Sequence, residues 1–431
     1  MNIQGKTASE IFECVRSMIQ ARQLRAGDSL PPVRELAVAL GVNRNTVASA
    51  YRRLVTSGIA FTQGRLGTII RDPWRGGEQE GAAAETPLVD LADGNPNPAW
   101  LPDLGAALGA RPYQPRLYGA PTVNPTLESH VRRWFAPDCP TPFEVDLTHG
   151  AVDAIERLLA LELMAGDPVA VETPCFLSSI NLLRNARLRA LGVPVDGEGM
   201  QVEALEAALA QGARAVILTP RAHNPTGCSL SGKRARALSR VLARHPNVLV
   251  IVDDHFSLLS KHDYHSVLPR NAGRWALVRS FSKLLGPDIR VAAVASDASS
   301  ARQLRQRLAP GTNWVSHLLQ DVVEAAVTDP DNIRLLEGAR ADYVRRRQAL
   351  EAALLAEGIA CAGDGDGLNL WVPMPAGDRE AAQALARVGW LVRHGDAFAL
   401  GAPAGGLRIT TARIEPEQCR RLAADLARIL A

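Results

Sequence analysis

Val278-Arg-Ser-Phe-Ser-Lys-Leu-Leu-Gly-Pro-Asp-Ile-Arg290 is the stretch on which the reading of the chain turns. An apolar run, Trp275 to Val278, leads into it and reads as a buried strand. The run stops in small polar residues, then Lys283, then Gly286-Pro287 and Arg290. A lysine at the mouth of a parallel sheet is desolvated, which lowers its pKa and frees an amine nucleophile. Such an amine forms a Schiff base with an aldehyde, and pyridoxal phosphate is the usual one. Ser280, Ser282 and Arg290 are suited to hold its phosphate. Taken alone, Ser-x-Ser-Lys reads more simply as a solvated turn, so the weight falls on what lies upstream.

Upstream, strand-like runs recur at Val169 to Glu172, Ala215 to Thr219 and Val248 to Asp253, and downstream at Val291 to Ala295. Helical stretches such as Ala151 to Met164 and Gly232 to Ala243 alternate with them. This alternation predicts an α/β domain with a mostly parallel sheet, whose ligands sit beyond the carboxyl ends of the strands. Thr148-His-Gly-Ala151 leads into a helix, so the backbone N–H groups of Gly150, Ala151 and Val152 would point at an anion. Glu172-Thr-Pro-Cys-Phe176 follows a strand, and Phe176 is either a ring to stack on a ligand or a core residue. Ala222-His-Asn-Pro-Thr-Gly227 offers Asn224 as a donor to a phenolate, in a non-helical turn whose Asn-Pro bond is a candidate for cis. Val248 to Val252 is fully apolar and ends in Asp253-Asp254-His255-Phe256. A buried carboxylate needs a partner. A protonated pyridine nitrogen would make Asp253 useful, whereas a helix N-cap is its plainer role.

Asn224, Asp253, Lys283 and Arg290 follow one another in this order at strand ends, together with His-Asn-Pro-Thr-Gly. From about residue 88 to 431 the chain resembles the fold-type I aminotransferases of the aspartate aminotransferase group. The resemblance implies that Lys283 carries the Schiff base, Asp253 pairs the pyridine nitrogen and Asn224 bonds the ring hydroxyl. It implies that Gly150, Ala151, Ser280 and Arg290 bind phosphate and that Phe176 stacks on the ring. Tyr118, in Leu117-Tyr-Gly-Ala-Pro121, resembles the tyrosine that reaches a neighbouring subunit's phosphate. Arg408, in Gly406-Leu-Arg-Ile-Thr410, resembles the arginine that grips a substrate or effector carboxylate, for which a guanidinium fork is well shaped. The chain also departs from that pattern. His149 replaces a small hydroxyl residue, Phe176 a common tyrosine and Val123 a glycine. The tyrosine expected just after Asp253 is missing, with His255 or Phe256 in its place. Cofactor binding is therefore expected, and fast transamination is not.

The first 71 residues read differently. They hold ten Lys/Arg against four Asp/Glu, a net +6 within a chain of net +3, which suits an anionic partner. Thr7-Ala-Ser-Glu10 is a capping-box pattern ahead of Ile11, Val15, Met18 and Ile19. Pro31-Pro32 opens a second helix striped with Val33, Leu36, Ala37 and Leu40. After the Gly41-Val42 turn, Asn43 caps a third helix facing inward through Val47, Ala50, Tyr51 and Leu54. Two short strand-like runs, Ile59 to Thr62 and Thr68 to Arg71, flank Gln63-Gly-Arg-Leu-Gly67 as a wing. This is a helix-turn-helix pattern, with a small helical protein-interaction domain as the alternative. Arg44 and Asn45 suit base edges, and Thr46, Arg34, Arg53 and Arg65 suit phosphates. Pro31-Pro-Val-Arg-Glu-Leu36, Gly41-Val-Asn-Arg-Asn-Thr46 and Gly64-Arg-Leu-Gly-Thr68 resemble the winged helix-turn-helix of GntR-type bacterial regulators. That resemblance implies DNA contacts from Arg34, Asn43, Arg44, Asn45 and wing residues near Gly64. Ala48 stands where many relatives carry another arginine.

The expected layout is a winged helix-turn-helix over 1–71, a flexible linker over 72–87, a large aminotransferase-like domain over 88–329 and a smaller α/β domain over 330–431. In the last, Arg340 to Arg347 reads as a solvated helix face. The six cysteines form no CxxC pair, so neither a metal set nor a disulfide framework is expected. No apolar run is long enough for a membrane helix and no signal peptide is seen, so a cytoplasmic location is expected. The whole layout resembles the MocR regulators. Asn2-Ile-Gln-Gly-Lys-Thr-Ala8 and the Asp-Asp-His-Phe strand end are most similar to the PtsJ-type branch. The implied protein is a head-to-tail homodimer that binds operator DNA and responds to pyridoxal phosphate or an amino compound. A working aminotransferase with a vestigial head, or a carrier that only delivers the cofactor, are the rivals.

Overall fold

A computed structural model describes residues 3–57, 59–62, 67–70, 79–81, 86–109, 114–309, 311, 313–361, 363–374, 376–401 and 403–431. The chain forms two compact units, Met1–Glu78 with Met164–Asp167 and Leu183–Arg189, and the remainder.

In the head, α1 (Ala8–Gln20) starts where the sequence places it. Thr7 Oγ1 accepts from Glu10 N–H, while the Glu10 carboxylate accepts from Lys6 N–H at 2.8 Å. The two bonds occupy donors that a helix start leaves unpaired. α2 (Val33–Leu40) ends on Gly41, whose φ of 62° makes the sharp turn. α3 (Arg44–Thr56) is capped by Asn43, whose side chain accepts from Asn45 N–H at 2.8 Å. Val47, Ala50, Tyr51 and Leu54 of α3 are buried against Ile11, Val15 and Leu36. Fully burying an aliphatic side chain of this size is worth about 1.5–3 kcal/mol, enough to fix the angle between short helices. β1 (Ala60–Thr62) and β2 (Thr68–Ile70) pair antiparallel behind α3.

In the body, β3 (Val89–Asp90) precedes the strands of the main sheet. These are β4 (Glu144–Thr148), β5 (Pro168–Thr173), β6 (Arg189–Asp196), β7 (Gly199–Met200), β8 (Ala215–Leu218), β9 (Leu249–Asp253), β10 (Trp275–Ser280) and β11 (Ala292–Ser296). Among the described residues they form an eight-stranded sheet of order β4-β11-β10-β9-β8-β5-β6-β7. β5, β8, β9 and β10 run parallel, and β11 is antiparallel to both its neighbours. Every residue of β8 and β9 is buried, which is why these strands, up to the terminal Asp253, are continuously apolar rather than alternating. The smaller part carries β12 (Asn369–Pro373), β13 (Trp390–Leu391), β14 (Arg393–His394) and β15 (Gly406–Thr410). β12, β15 and β14 make an antiparallel sheet, and β13 pairs with β3. Helices Pro330–Ala356 and Pro416–Leu430 supply Leu350, Leu354, Leu422 and Leu426 to its core.

Two expectations are corrected here. Arg340 to Arg347 is not a solvated face throughout. Arg340 and Arg345 are exposed, but Arg347 is buried, donates to the Asn369 carbonyl and pairs with Glu351. The stretch 72–87 is not wholly a free connector either, because Gln79, Glu80 and Gly81 are bonded to the body. Among the described residues no helix is long and apolar enough to cross a membrane.

Candidate functional site

Because β5, β8, β9 and β10 share a direction, their carboxyl ends open on one edge of the sheet. There stand Glu172, Asn224, Asp253 and Lys283, each just inside or beyond its strand. β11 runs the other way, so its beginning reaches the same edge and brings Arg290 with it. The two adjacent carboxylates at the end of β9 differ in use. Asp254, fully buried, accepts from Arg221 at 3.0 and 2.6 Å and from Arg279 at 2.9 Å. Asp253 is also buried, yet its Oδ1 has no hydrogen-bond partner among the described residues. Burial, with the neighbouring Asp254 charge, pushes the Asp253 carboxyl up to about 7. Glu172 accepts from Thr219 N–H at 2.9 Å, and burial raises its carboxyl to about 8. Glu172 Oε1 is likewise without a hydrogen-bond partner among the described residues, so both carboxyls can meet a cationic ligand atom, Asp253 from the strand paired with the one that leads to Lys283.

The anion end lies at the start of the helix Ala151–Glu162. Gly150 is its N-cap with a φ of 96° and no side-chain cap, so the first N–H groups of Ala151 and Val152 point out of the helix. A Cβ at Gly150 would sit 3.2 Å from Arg290 Nη2, so the glycine, at a φ of 96°, lets this guanidinium lie close against the helix start. His149 N–H donates to Asp153 Oδ2 at 3.1 Å, which turns its half-buried ring beside that carboxylate. Ser280 Oγ accepts from Ser282 N–H at 3.2 Å and retains its own proton to donate.

Lys283 is half-buried, and Nζ donates to the Gly94 carbonyl at 2.8 Å. Burial pulls its amine below the ordinary lysine value, with Glu80 and Asp93 acting the other way. His255 stands near it, held down to about 4 by burial and by the Lys283 charge. Asn224 precedes a cis bond to Pro225. Arg408, in the centre of β15, is fully buried with Phe398 beneath it, its guanidinium 5.2 Å from the ring centre. It donates to the Ala92 carbonyl, to Asn224 Oδ1 at 3.2 Å and to the carboxylate of Glu80. Glu80 and Gly94 were not singled out in the sequence. Glu80 sits in a Gly- and Ala-rich stretch without periodicity, and nothing local marks its partner.

Tyr118 is 93% exposed, edge-on to Trp314 at 5.8 Å between ring centres. Phe176 is half-buried at the start of the helix Leu177–Asn185. In the head, Arg34 is exposed in the first turn of α2, Asn43, Arg44 and Asn45 are exposed at the start of α3, and Thr46 there is half-exposed. Arg53 lies over the Phe12 ring at 4.7 Å. Gly64 and Arg65 fall outside the described residues.

The donor set fits pyridoxal phosphate. The unpartnered Asp253 oxygen suits a pyridinium, the Gly150–Arg290 cradle suits a phosphate, and Lys283 supplies the amine.

Comparison with known proteins agrees. Residues 105–426 match the aminotransferase class I and II family, and residues 7–70 match the bacterial regulatory proteins of the gntR family. The chain is 53% identical over 428 residues to the vitamin B6 salvage pathway transcriptional repressor PtsJ of Salmonella typhimurium, covering 99% of each. It is 26% identical to the uncharacterized HTH-type transcriptional regulator YdcR of Escherichia coli, over 86% of each. The kynurenine aminotransferase of Pyrococcus horikoshii superposes with a TM-score of 0.70 at 23% identity, over 80% of this chain and 92% of that one. The chain thus belongs to the MocR-type regulators, in which a GntR-family head is joined to a class I and II aminotransferase body whose cofactor is pyridoxal phosphate.

Proposed function

We propose that this chain is a transcriptional regulator that binds operator DNA and responds to pyridoxal phosphate, acting on a gene of vitamin B6 or amino-compound metabolism. The observation that carries this reading is the joint presence of exposed Arg44 and Asn45 at the start of α3 and of Lys283 and the unpartnered Asp253 oxygen at one edge of the sheet. The relative at 53% identity is named as a repressor of vitamin B6 salvage, which supports the assignment.

In this reading the chain divides as 1–71, 72–87, 88–329 and 330–431, and it works in the cytoplasm as a head-to-tail homodimer. The exposure of Tyr118 supports its reaching a second subunit. Arg44 and Asn45 read base edges, while Arg34, Asn43, Thr46 and the wing residues Gly64 and Arg65 position the head on phosphates. Bound pyridoxal phosphate supplies an aldehyde for an amine and an electron-withdrawing ring. Lys283 offers that amine, its pKa drawn below the ordinary lysine value by burial. Asp253 holds a proton at the ring nitrogen, Asn224 donates to the ring oxygen, and Phe176 covers the ring face. Gly150, Ala151, Val152, Ser280, Ser282 and Arg290 take the phosphate, with His255 lining the amine side. Occupancy biases closure of the smaller domain, and closure alters the spacing of the two heads, a coupling that is reciprocal by linkage.

The test is a mobility shift on DNA upstream of the chain's own gene, titrated with pyridoxal phosphate, alongside a keto-acid assay over a panel of amino acids. A cofactor-dependent shift that Lys283→Ala abolishes, together with loss of the protein's visible absorption, is the expected result. Keto-acid turnover with no DNA shift favours an aminotransferase with a vestigial head instead. Neither result favours a cofactor carrier.

A further inference from the structure

Glu80 lies in the stretch read as a connector, yet it sits at the heart of the site. Its carboxylate pairs with Arg408, which is fully buried, and accepts from Asn224 Nδ2 at 2.9 Å. The residues on either side are also held. Arg393 donates to the Gln79 carbonyl at 3.0 Å, and Gly81 N–H donates to the Asp93 carbonyl at 2.9 Å. A Cβ on Gly94 would stand 2.7 Å from Glu80 Oε2, so the body leaves room for this oxygen by carrying glycine there, at a φ of 66°. Oε2 itself is buried and has no hydrogen-bond partner among the described residues. Three successive residues pinned to the body, and a carboxylate seated on a guanidinium with no exposed surface, make a built contact rather than a passing surface pair. Burial works to raise the Glu80 carboxyl, but Arg408, Asn224 and Arg393 outweigh it and hold it below its ordinary value.

The arrangement has the form of a bound ligand. Arg408 is a carboxylate receptor, and its receptor face is occupied by a carboxylate of the same chain. Asn224 has two N–H hydrogens, so serving Glu80 leaves one for a ring oxygen. The phosphate cradle at Gly150 and Arg290 and the Asp253 oxygen make no hydrogen bond to Glu80.

We propose that Glu80 is a tethered stand-in for a ligand carboxylate, which leaves the site open to a carboxylate-free B6 vitamer and closes it to amino acids until Glu80 is expelled. The proposal deepens the reading above and rests on it, since it names which class of ligand the regulator admits first. A vitamer needs the amine, the pyridinium partner and the phosphate cradle. An amino acid needs Arg408 as well, and must compete with a carboxylate held at high local concentration by its own backbone. Any carboxylate that wins also releases Gln79 to Gly81 from the body, so such a ligand acts on the connector directly.

The experiment uses the full chain without cofactor and maleate as the probe, a dicarboxylate with no amine. Calorimetry compares the wild type with Glu80→Gln and Glu80→Ala, with thermal melting as the check that each variant is folded. Glu80→Gln keeps an acceptor for Arg408 and serves if the alanine variant unfolds. Both variants are expected to bind maleate at least tenfold more tightly than the wild type, and Arg408→Lys to weaken maleate binding in either background. A second readout is cleavage at the Glu80–Gly81 bond by a glutamyl endopeptidase, mapped by mass. Maleate is expected to accelerate it several-fold in the wild type. Equal maleate affinity in wild type and variants, or cleavage indifferent to maleate, overturns the proposal. If the DNA shift still responds to pyridoxal phosphate in that case, the regulator reading stands without it. If the Glu80 variants do bind maleate more tightly while DNA never responds, the regulator reading is the part that fails.

Discussion

Asp253 and Arg408 are both buried ionisable groups in the body, one at the end of β9 and the other within β15, and the chain treats them in opposite ways. Asp253 has an oxygen without a partner, whereas both terminal nitrogens of Arg408 are engaged, by Glu80, Asn224 and the Ala92 carbonyl, and only its Nε is left over among the described residues. The difference follows from what each group can do when left alone. A carboxylate can take up a proton, and Asp253 moves in that direction, to about 7. A guanidinium cannot shed one under ordinary conditions, so a buried arginine must keep a counter-ion. Where the ligand brings a cation, the protein can wait with a protonated acid. Where the ligand brings an anion, the protein must supply one in the meantime.

The comparison breaks most visibly if Arg408 is removed. Arg408→Met should strand the Glu80 carboxylate and cost about 3–5 kcal/mol of the body's stability, read from urea unfolding. Adding Glu80→Gln should recover most of that loss. A double variant as unstable as Arg408→Met would show that the two do not interact as a pair. Next in size, Asp253→Asn should weaken pyridoxal phosphate binding by roughly ten- to hundredfold, the range for a hydrogen bond to a charged group. Titration of the visible band measures it, and an unchanged affinity would remove Asp253 from the site.

The smallest effect concerns pH. The folded pKa of Asp253, about 7, lies above its ordinary 3.8, so the folded chain holds this proton more tightly than the unfolded chain. Its contribution to stability is complete below about pH 4 and is lost as pH rises toward 7. Glu172, raised from 4.5 to about 8, acts in the same sense. Each such proton gives a slope of at most about 1.4 kcal/mol per pH unit. In the cofactor-free chain, Asp253→Asn should therefore flatten the fall in urea midpoint between about pH 5 and pH 6.5. An unaltered slope would mean that Asp253 is already ionised in the fold.

Much of this was legible in the sequence because chemistry-bearing residues sit where apolar runs stop. Asp253 ends five buried strand residues, and Lys283 follows β10 by three positions. The caps of α1 and α3 were legible for the same local reason, since Thr7 and Asn43 bond to N–H groups within three residues. What escaped was set by distant partners. Glu80 meets Arg408 across 328 positions of chain, and no pattern around residue 80 encodes that meeting. Arg347 looked solvated among other arginines because charge count does not reveal that Glu351 and the Asn369 carbonyl receive it. Nor did the sequence show that Asp254, next to Asp253, is taken up by Arg221 and Arg279.

The reversed direction of β11 has one more consequence. Lys283 and Arg290 lie on a single reversal of the chain, with Ser280 registered opposite Ala292. Lengthening that reversal by one residue would let both strands keep their ladder and their apolar packing while carrying the guanidinium away from Gly150. Such a variant would melt like its parent and fail to retain a phosphorylated ligand, so the hairpin's length is a dial for grip that can be turned without touching the core.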